Sequence, residues 1–217
     1  LDTMQGDDGA FYHYHDGERP QRPGLLCSQV SAANALLDLH ELTGAPQYLD
    51  AATRAMDWAI DNLRSEGGGL YDVPGSPGAV GLLRHRDKPV LENARAARAA
   101  VRLGHHTGRD AYLSLARDAL RCGAATYGRY GFMGAEYAQS AWLLESPARV
   151  VKIVASAPRA AEFAGAALRT LSPGLVVVHL HPDRDTARLQ AESLATDVEA
   201  AYFCVGKACR RARTPEE

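Results

Sequence analysis

The fold is decided by a seven-residue stretch that occurs twice, Thr43-Gly44-Ala45-Pro46-Gln47-Tyr48-Leu49 and, 64 residues later, Thr107-Gly108-Arg109-Asp110-Ala111-Tyr112-Leu113. In each copy a glycine suits the left-handed position that ends one helix, and the residues after it suit the first turn of the next. Apolar residues recur at helical spacing on both sides of each copy. The repeat therefore predicts tandem helical hairpins.

A second series of motifs interleaves with the first and places a glycine before an aromatic or apolar pair. Its members are Gly9-Ala10-Phe11-Tyr12, Gly69-Leu70-Tyr71 and Gly131-Phe132-Met133. We interpret them as loops at the far ends of the hairpins, where the aromatic residues fold back as short extended pieces over the helix ends. A fifth helix is expected from about Phe132 to Glu145.

The pattern changes after residue 146. A β-branched run at Val150–Val154 is followed by a helix that starts near Pro158 and extends to about residue 171, and then by a second run at Leu175–Leu180. This strand-helix-strand order predicts parallel, neighbouring strands, with a further strand at Tyr202–Val205. The sequence thus predicts a mainly α chain, with tandem α-hairpins in residues 1–146 and a small α/β region in residues 147–217.

Composition excludes several classes of partner. The 217 residues include 24 Lys plus Arg against 26 Asp plus Glu, which gives a net charge of -2. This balance gives no electrostatic reason to expect nucleic acid or an anionic membrane surface as a partner, and no apolar run is long enough to span a bilayer. No phosphate-binding loop or nucleophile elbow is present, so we expect no cofactor. The lack of a long apolar run favours a cytoplasmic location.

Several of these motifs together resemble one known family. They are Asp8–His13, the two Thr-Gly repeats, Gly68–Asp72 and Ala201–Cys209, and they are similar to the C-terminal portion of the YyaL-type thioredoxin-domain-containing proteins, which include the spermatogenesis-associated thioredoxin-like proteins. The resemblance implies a six-hairpin glycosidase-like architecture, of which this chain would form a partial α/α toroid. It also implies N-terminal hairpins or a thioredoxin-like domain as partners, and apolar faces that favour self-association.

The densest cluster of polar and aromatic residues is Phe11-Tyr12-His13-Tyr14-His15-Asp16. In an extended backbone Tyr12 and Tyr14 lie on one side and His13 and His15 on the other. Aromatic rings that stack on sugar rings, beside imidazoles and acids that move protons, are typical of a saccharide site. The alternative is an extended loop whose tyrosines only cover helix ends.

In an α/α toroid the loops gather at one mouth, so Asp72 and His85 are expected to join His13 as catalytic residues. The predicted substrate-binding residues are Tyr12, Tyr14, Arg86, Glu92 and Asn93. As an alternative, Asp87 and Glu92 cap the following helix. The predicted function is carbohydrate-related binding or catalysis. The competing hypothesis is a non-catalytic scaffold or interaction module appended to a thiol-redox domain.

Two further motifs lie in the tail. Gly206 lets the chain turn, so that Cys209 can return to the roughly 4.4–6.8 Å Cα separation at which it can pair with Cys204. We predict a redox role for this pair, and two unlinked thiols, a disulfide, a metal site and intermolecular pairing remain alternatives. Cationic neighbours favour a thiolate at Cys209. The stretch His179-Leu180-His181-Pro182-Asp183 has a spacing used by some metallohydrolases, but a strand end without metal is the favoured interpretation.

Overall fold

The computed structural model describes residues 1, 3–170 and 172–217. The chain divides into two compact units, one formed by residues 1–37 and 47–145 and the other by residues 38–46 and 146–217. No helix in the described ranges is long and apolar enough to cross a membrane.

Helices dominate the first unit. A short antiparallel hairpin of β1 (Tyr12–His15) and β2 (Pro20–Pro23) precedes them. The helices are α1 (Leu26–Thr43), α2 (Pro46–Leu63), α3 (Val90–Thr107), α4 (Asp110–Gly123) and α5 (Ala135–Glu145). The fifth helix begins at Ala135 and not at Phe132, because the third glycine loop forms a 3₁₀ segment, Tyr127–Gly134, that is interrupted by non-helical backbone at Gly131.

The two copies of the Thr-Gly repeat end α1 and α3 in the same way. Gly44 and Gly108 have φ values of +69° and +71°. Their N–H groups donate to the carbonyls of the residues four positions earlier, at 2.7 and 2.9 Å. The prediction of tandem helical hairpins in a mainly α chain is therefore confirmed.

One apolar core fills the first unit, and alanines supply many of its buried side chains. They lie on all four helices of the two hairpins, for example Ala33, Ala52, Ala97 and Ala116. Such short side chains let helices approach closely. The largest fully buried side chain is that of Tyr112, at the start of α4.

Tyr112 is held by a polar pair that makes its ionisation costly. Its hydroxyl donates to Asp57 Oδ1 at 2.6 Å and accepts from Arg109 Nη1 at 2.9 Å. Burial, together with the hydrogen bond to Asp57, raises the pKa of Tyr112 well above its ordinary value. An unfolded tyrosine ionises near pH ~10. The stabilisation is therefore fully present below about pH 10 and is lost as the pH rises further.

Replacing Tyr112 by phenylalanine should reveal this linkage. We expect Tyr112→Phe to lower the free energy of unfolding by about 1–2 kcal/mol at neutral pH. Above pH ~10 the free energy of unfolding should fall less steeply with pH in the variant than in the native chain. The difference in slope should be up to about 1.4 kcal/mol per pH unit. Urea unfolding between about pH 8 and 11 measures both effects. The control is Tyr48→Phe at the equivalent repeat position, and an unchanged slope in Tyr112→Phe would contradict the prediction.

The second unit contains a four-stranded sheet in the order β4-β3-β5-β6. Its elements are β3 (Arg149–Val154), α6 (Ala157–Arg169), β4 (Leu175–Leu180), α7 (Thr186–Ala191), β5 (Ala200–Val205) and β6 (Ala208–Ala212). The predicted parallel pairing of β3 with β4 and the strand around residue 203 are confirmed. The predicted end of α6 at Leu171 lies outside the described residues.

The strand β6 is not predicted by the sequence, and its pairing with β5 brings the two cysteines together. Cys204 and Cys209 lie directly opposite each other in the antiparallel pair of β5 and β6. They form a disulfide with a Cα–Cα distance of 4.0 Å. Of the four alternatives for these residues, the structure therefore has the disulfide. Cys204 is buried and Cys209 is an exposed residue. Because both sulfurs are in the disulfide, the thiolate expected at Cys209 is not present.

Candidate functional site

Buried amide side chains fix the first two glycine loops to their helices. Gln29 of α1 accepts a hydrogen bond from Phe11 N at 2.8 Å and donates one to Phe11 O at 2.9 Å. Asn93 of α3 makes the same pair of bonds with Leu70, at 2.8 and 2.9 Å. Gln29 and Asn93 are 64 residues apart and so occupy the same position in the repeat. Each hairpin therefore has an amide that anchors its loop.

This anchoring role replaces the prediction that Asn93 binds substrate. Its side chain is completely buried. In addition to the two bonds with Leu70, its Nδ2 donates to Pro89 O at 3.0 Å. Both amide atoms are thus occupied by the protein's own backbone, and Asn93 positions the second loop instead of facing a substrate.

The first turn of α1 joins the segments that carry His13 and Asp72. The hairpin places His13 Nδ1 2.9 Å from Ser28 Oγ. Two residues earlier in the same turn, Leu26 N donates to Asp72 O at 2.9 Å. The structure therefore brings these two loop segments to one end of one helix, although no hydrogen bond within the described ranges links the His13 and Asp72 side chains.

The carboxylate of Asp72 is used to shape its own loop. Asp72 Oδ1 accepts from Asp87 N at 2.9 Å, while Asp72 N donates to Asp87 O at 2.8 Å. The alternative in which Asp87 and Glu92 cap α3 is confirmed only in part. The N-cap residue is Pro89 and no side chain makes a capping hydrogen bond, but Glu92 lies in the first turn, where a negative charge suits the helix dipole.

The remaining predicted residues are more dispersed. His85 is exposed and follows a 3₁₀ turn, Gly81–Arg84. The Arg86 guanidinium stacks on the Tyr71 ring, 3.8 Å from its centroid. Tyr14 is 46% exposed. Tyr12 is half-buried in the β1–β2 hairpin, where it pairs with Pro23.

A stripe of polar side chains runs along α1 and recurs on α3. The residues are Ser28, Ser31 and Asn34 on the first helix, and Glu92, Arg95 and Arg98 on the second. Within each set the residues are three positions apart, a spacing that keeps them on one helix face. Each residue lies 64 positions from its counterpart. This recurrence is the signal in the sequence that could have identified these residues.

The stripe borders a polar cavity of about 210 Å³ between α1, α3 and α5. Its lining is Val30, Ser31, Asn34, Arg95, Arg98, Glu136, Gln139 and Ser140. Asn34 Nδ2 donates to Val30 O at 2.8 Å and to Arg95 O at 3.1 Å. Asn34 Oδ1 is buried and accepts no hydrogen bond from the described residues. Asn34, a residue of the cavity wall, therefore carries a buried acceptor that lacks a donor.

An ion pair organises the other wall of the cavity. Arg95 Nε and Nη2 donate to the two carboxylate oxygens of Glu136, at 2.9 and 3.0 Å. This bond to Glu136 raises the pKa of Arg95, and the charge of Glu92 contributes as well. The guanidinium is therefore a permanent, fixed charge. Arg98, one turn further on, is exposed and makes no ion pair in the part of the chain that the structure describes.

Comparisons with known proteins give a partial structural similarity. The chain is similar to a family 76 glycoside hydrolase from a bovine Bacteroides thetaiotaomicron strain, at 14% identity and a TM-score of 0.47, over 58% of this chain and 32% of that one. It is also similar to the GH76 alpha-mannanase of Bacteroides thetaiotaomicron, at 20% identity and a TM-score of 0.48, over 63% and 40% of the two chains.

The structural similarity covers only part of each solved structure. The chain spans about a third to two fifths of the length of the two solved structures. No protein family and no curated protein matches the chain by sequence. The resemblance to the YyaL-type thioredoxin-domain-containing proteins is therefore not supported by these comparisons.

Proposed function

We propose that the cavity between α1, α3 and α5 binds a saccharide. The observation that carries this proposal is the unpartnered Oδ1 of Asn34, a buried acceptor in the wall of the cavity. The other polar residues of the lining are the Arg95–Glu136 ion pair, the exposed Arg98, and Ser31, Gln139 and Ser140. A sugar hydroxyl both donates and accepts hydrogen bonds. On binding, the Asn34 side chain would turn so that Oδ1 accepts from one hydroxyl of the ligand, and a neighbouring hydroxyl would accept from Arg98.

The ends of the same helices support this assignment. The polar stripe on α1 begins at Ser28, whose hydroxyl is bonded to His13 in the hairpin that also presents the exposed ring of Tyr14. An exposed ring beside hydrogen-bonding groups offers a stacking surface to the apolar face of a sugar. A ligand longer than one sugar unit would extend from the cavity toward this hairpin, in line with the expected mouth of a partial toroid.

The charges of the site favour binding over hydrolysis. Glycosidic hydrolysis requires two carboxyl groups on either side of the scissile bond, one of them able to give a proton. Glu136 is held by both donors of Arg95, and Asp72 accepts the amide of Asp87. Among the predicted catalytic residues, His13 has a ring nitrogen poised beside a hydroxyl, and we assign it a contact role at the mouth.

Titration with monosaccharides tests the proposal. D-mannose, D-glucose and N-acetyl-D-glucosamine are followed by saturation-transfer NMR and by chemical shifts of the labelled protein. At least one sugar should bind, and Asn34→Ala should weaken its binding about tenfold, as expected for one buried hydrogen bond. The matched control is Asn62→Ala, since Asn62 also donates to the carbonyl four residues earlier but lies on an exposed helix surface. Binding of none of the three sugars, or equal effects of the two variants, would refute the proposal.

A further inference from the structure

A second concave surface lies within the other unit, between α6 and the four-stranded sheet. This groove has a volume of about 300 Å³, the lower end of the range of roughly 300–1,000 Å³ for small-molecule sites. Its apolar lining includes Phe163, Ala166, Ala167, Leu175, Ala201 and Phe203. We refer to it as the α6 groove.

The groove exists because the helix covers only part of its face of the sheet. The helix α6 packs on β3 and β4, where Val151, Ile153 and Val177 are buried beneath it. On β5 the same face continues with Ala201, which is buried, and with Phe203, which is 43% exposed. The apolar floor therefore extends beyond the edge of the helix, and an apolar ligand would find surface there to cover.

The lining of the α6 groove includes a cation, Arg210, and a carboxylate, Glu217. Arg210 lines the groove and lies directly opposite Phe203 in the pairing of β5 with β6. Within the described ranges it makes no ion pair with a carboxylate. Glu217, which also lines the groove, accepts a hydrogen bond from Arg213 N at 2.9 Å. The guanidinium of Arg210 is thus available beside an apolar floor.

We propose that the α6 groove binds an amphipathic carboxylate, with its hydrocarbon chain between Phe163 and Phe203 and its carboxylate at Arg210. Each methylene buried in such a groove strengthens binding by about fourfold. A planar guanidinium matches a carboxylate with two parallel hydrogen bonds. A saccharide, which needs many polar partners, does not fit this lining. The proposal concerns a different unit from the polar cavity and is independent of the function proposed there.

Titration of the whole chain with hexanoate, octanoate and 1-octanol, followed by NMR chemical shifts, tests the two parts of the proposal separately. Octanoate should bind up to about 15-fold more tightly than hexanoate, because two more methylenes are buried. Octanoate should also bind roughly fivefold more tightly than 1-octanol, the preference expected of an exposed ion pair. Shifts should be largest at Phe163, Ala201 and Phe203.

Three variants test which residues cause the preference for a carboxylate and which cause the binding of the hydrocarbon chain. Arg210→Gln should reduce the affinity for octanoate to that for 1-octanol, while Ala167→Leu should fill the groove and weaken both ligands. Lys207→Gln, an exposed cation in the turn of the same hairpin, is the control and should change neither. Circular dichroism verifies that each variant is folded. Absence of octanoate binding, equal binding of octanoate and 1-octanol, or an equal effect of Arg210→Gln and Lys207→Gln would overturn the proposal.

Discussion

Replacing Asn93 by alanine is expected to lower the free energy of unfolding by about 3–5 kcal/mol, the largest effect of any single polar side chain considered. The substitution removes three hydrogen bonds, two to Leu70 and one to Pro89. Leu70 is completely buried, so its N–H and C=O groups would remain without partners in the interior. Each such buried group costs roughly 1–3 kcal/mol. Urea denaturation followed by circular dichroism measures the loss.

Two further variants show whether the anchoring of the loop is the cause. Gln29→Ala should be destabilising to a similar degree, because Gln29 holds Phe11 by the same pair of bonds in the first repeat. Asn62→Ala should change stability by less than about 0.5 kcal/mol, since this amide bonds only the exposed surface of its own helix. A cost for Asn93→Ala no greater than that for Asn62→Ala would contradict the anchoring role.

The helical hairpins could be predicted because their signals are local. The glycines at positions 44 and 108 and the apolar spacing around them act within one or two helical turns, and both helix ends lie where the repeat places them. The parallel pairing of β3 and β4 followed in the same way from two β-branched runs on either side of a helix. In the first case the signals lie within a few residues of the helix ends, and in the second a general rule for strand-helix-strand units supplies the pairing.

The candidate site could be predicted only in part, because it depends on which elements meet. The sequence shows that Gln29 and Asn93 are related by the repeat, but not that each one turns toward a loop backbone. A polar residue at every third position of a helix is also what a solvated surface has. Arg95 becomes part of a cavity wall only because Glu136, 41 residues further on, packs beside it.

The strand β6 was missed for a related reason. Its sequence, Ala208-Cys209-Arg210-Arg211-Ala212, has no β-branched or aromatic residue, so its own propensity for strand is low. It is extended because β5 offers an unpaired edge two residues earlier in the chain, across the turn at Gly206 and Lys207. Tertiary pairing thus outweighs local preference here, and it also determines that the two cysteines meet.

A second large effect is expected at Gly24, which links the β1–β2 hairpin to α1. Gly24 has a φ of +79°, and a Cβ atom added there would lie 2.3 Å from Cη2 of Trp58. That ring donates to Asp8 Oδ2 at 2.9 Å, so it cannot move without breaking a contact of the first loop. We expect Gly24→Ala to cost about 3 kcal/mol, the sum of backbone strain of about 1 kcal/mol and overpacking of about 2 kcal/mol.

A double-mutant cycle separates the two contributions to the Gly24→Ala cost. In a Trp58→Phe background the smaller ring lacks the atoms that obstruct the new methyl group, so the same substitution should cost only about 1 kcal/mol. Gly108→Ala is the matched control for strain, because Gly108 has a φ of +71° and no atom within 4 Å of the added Cβ. Equal costs of Gly24→Ala in the two backgrounds would show that Trp58 is not the obstacle. A coupling of about 2 kcal/mol would show that the ring of Trp58 is the group that excludes a side chain at Gly24, where the chain enters α1.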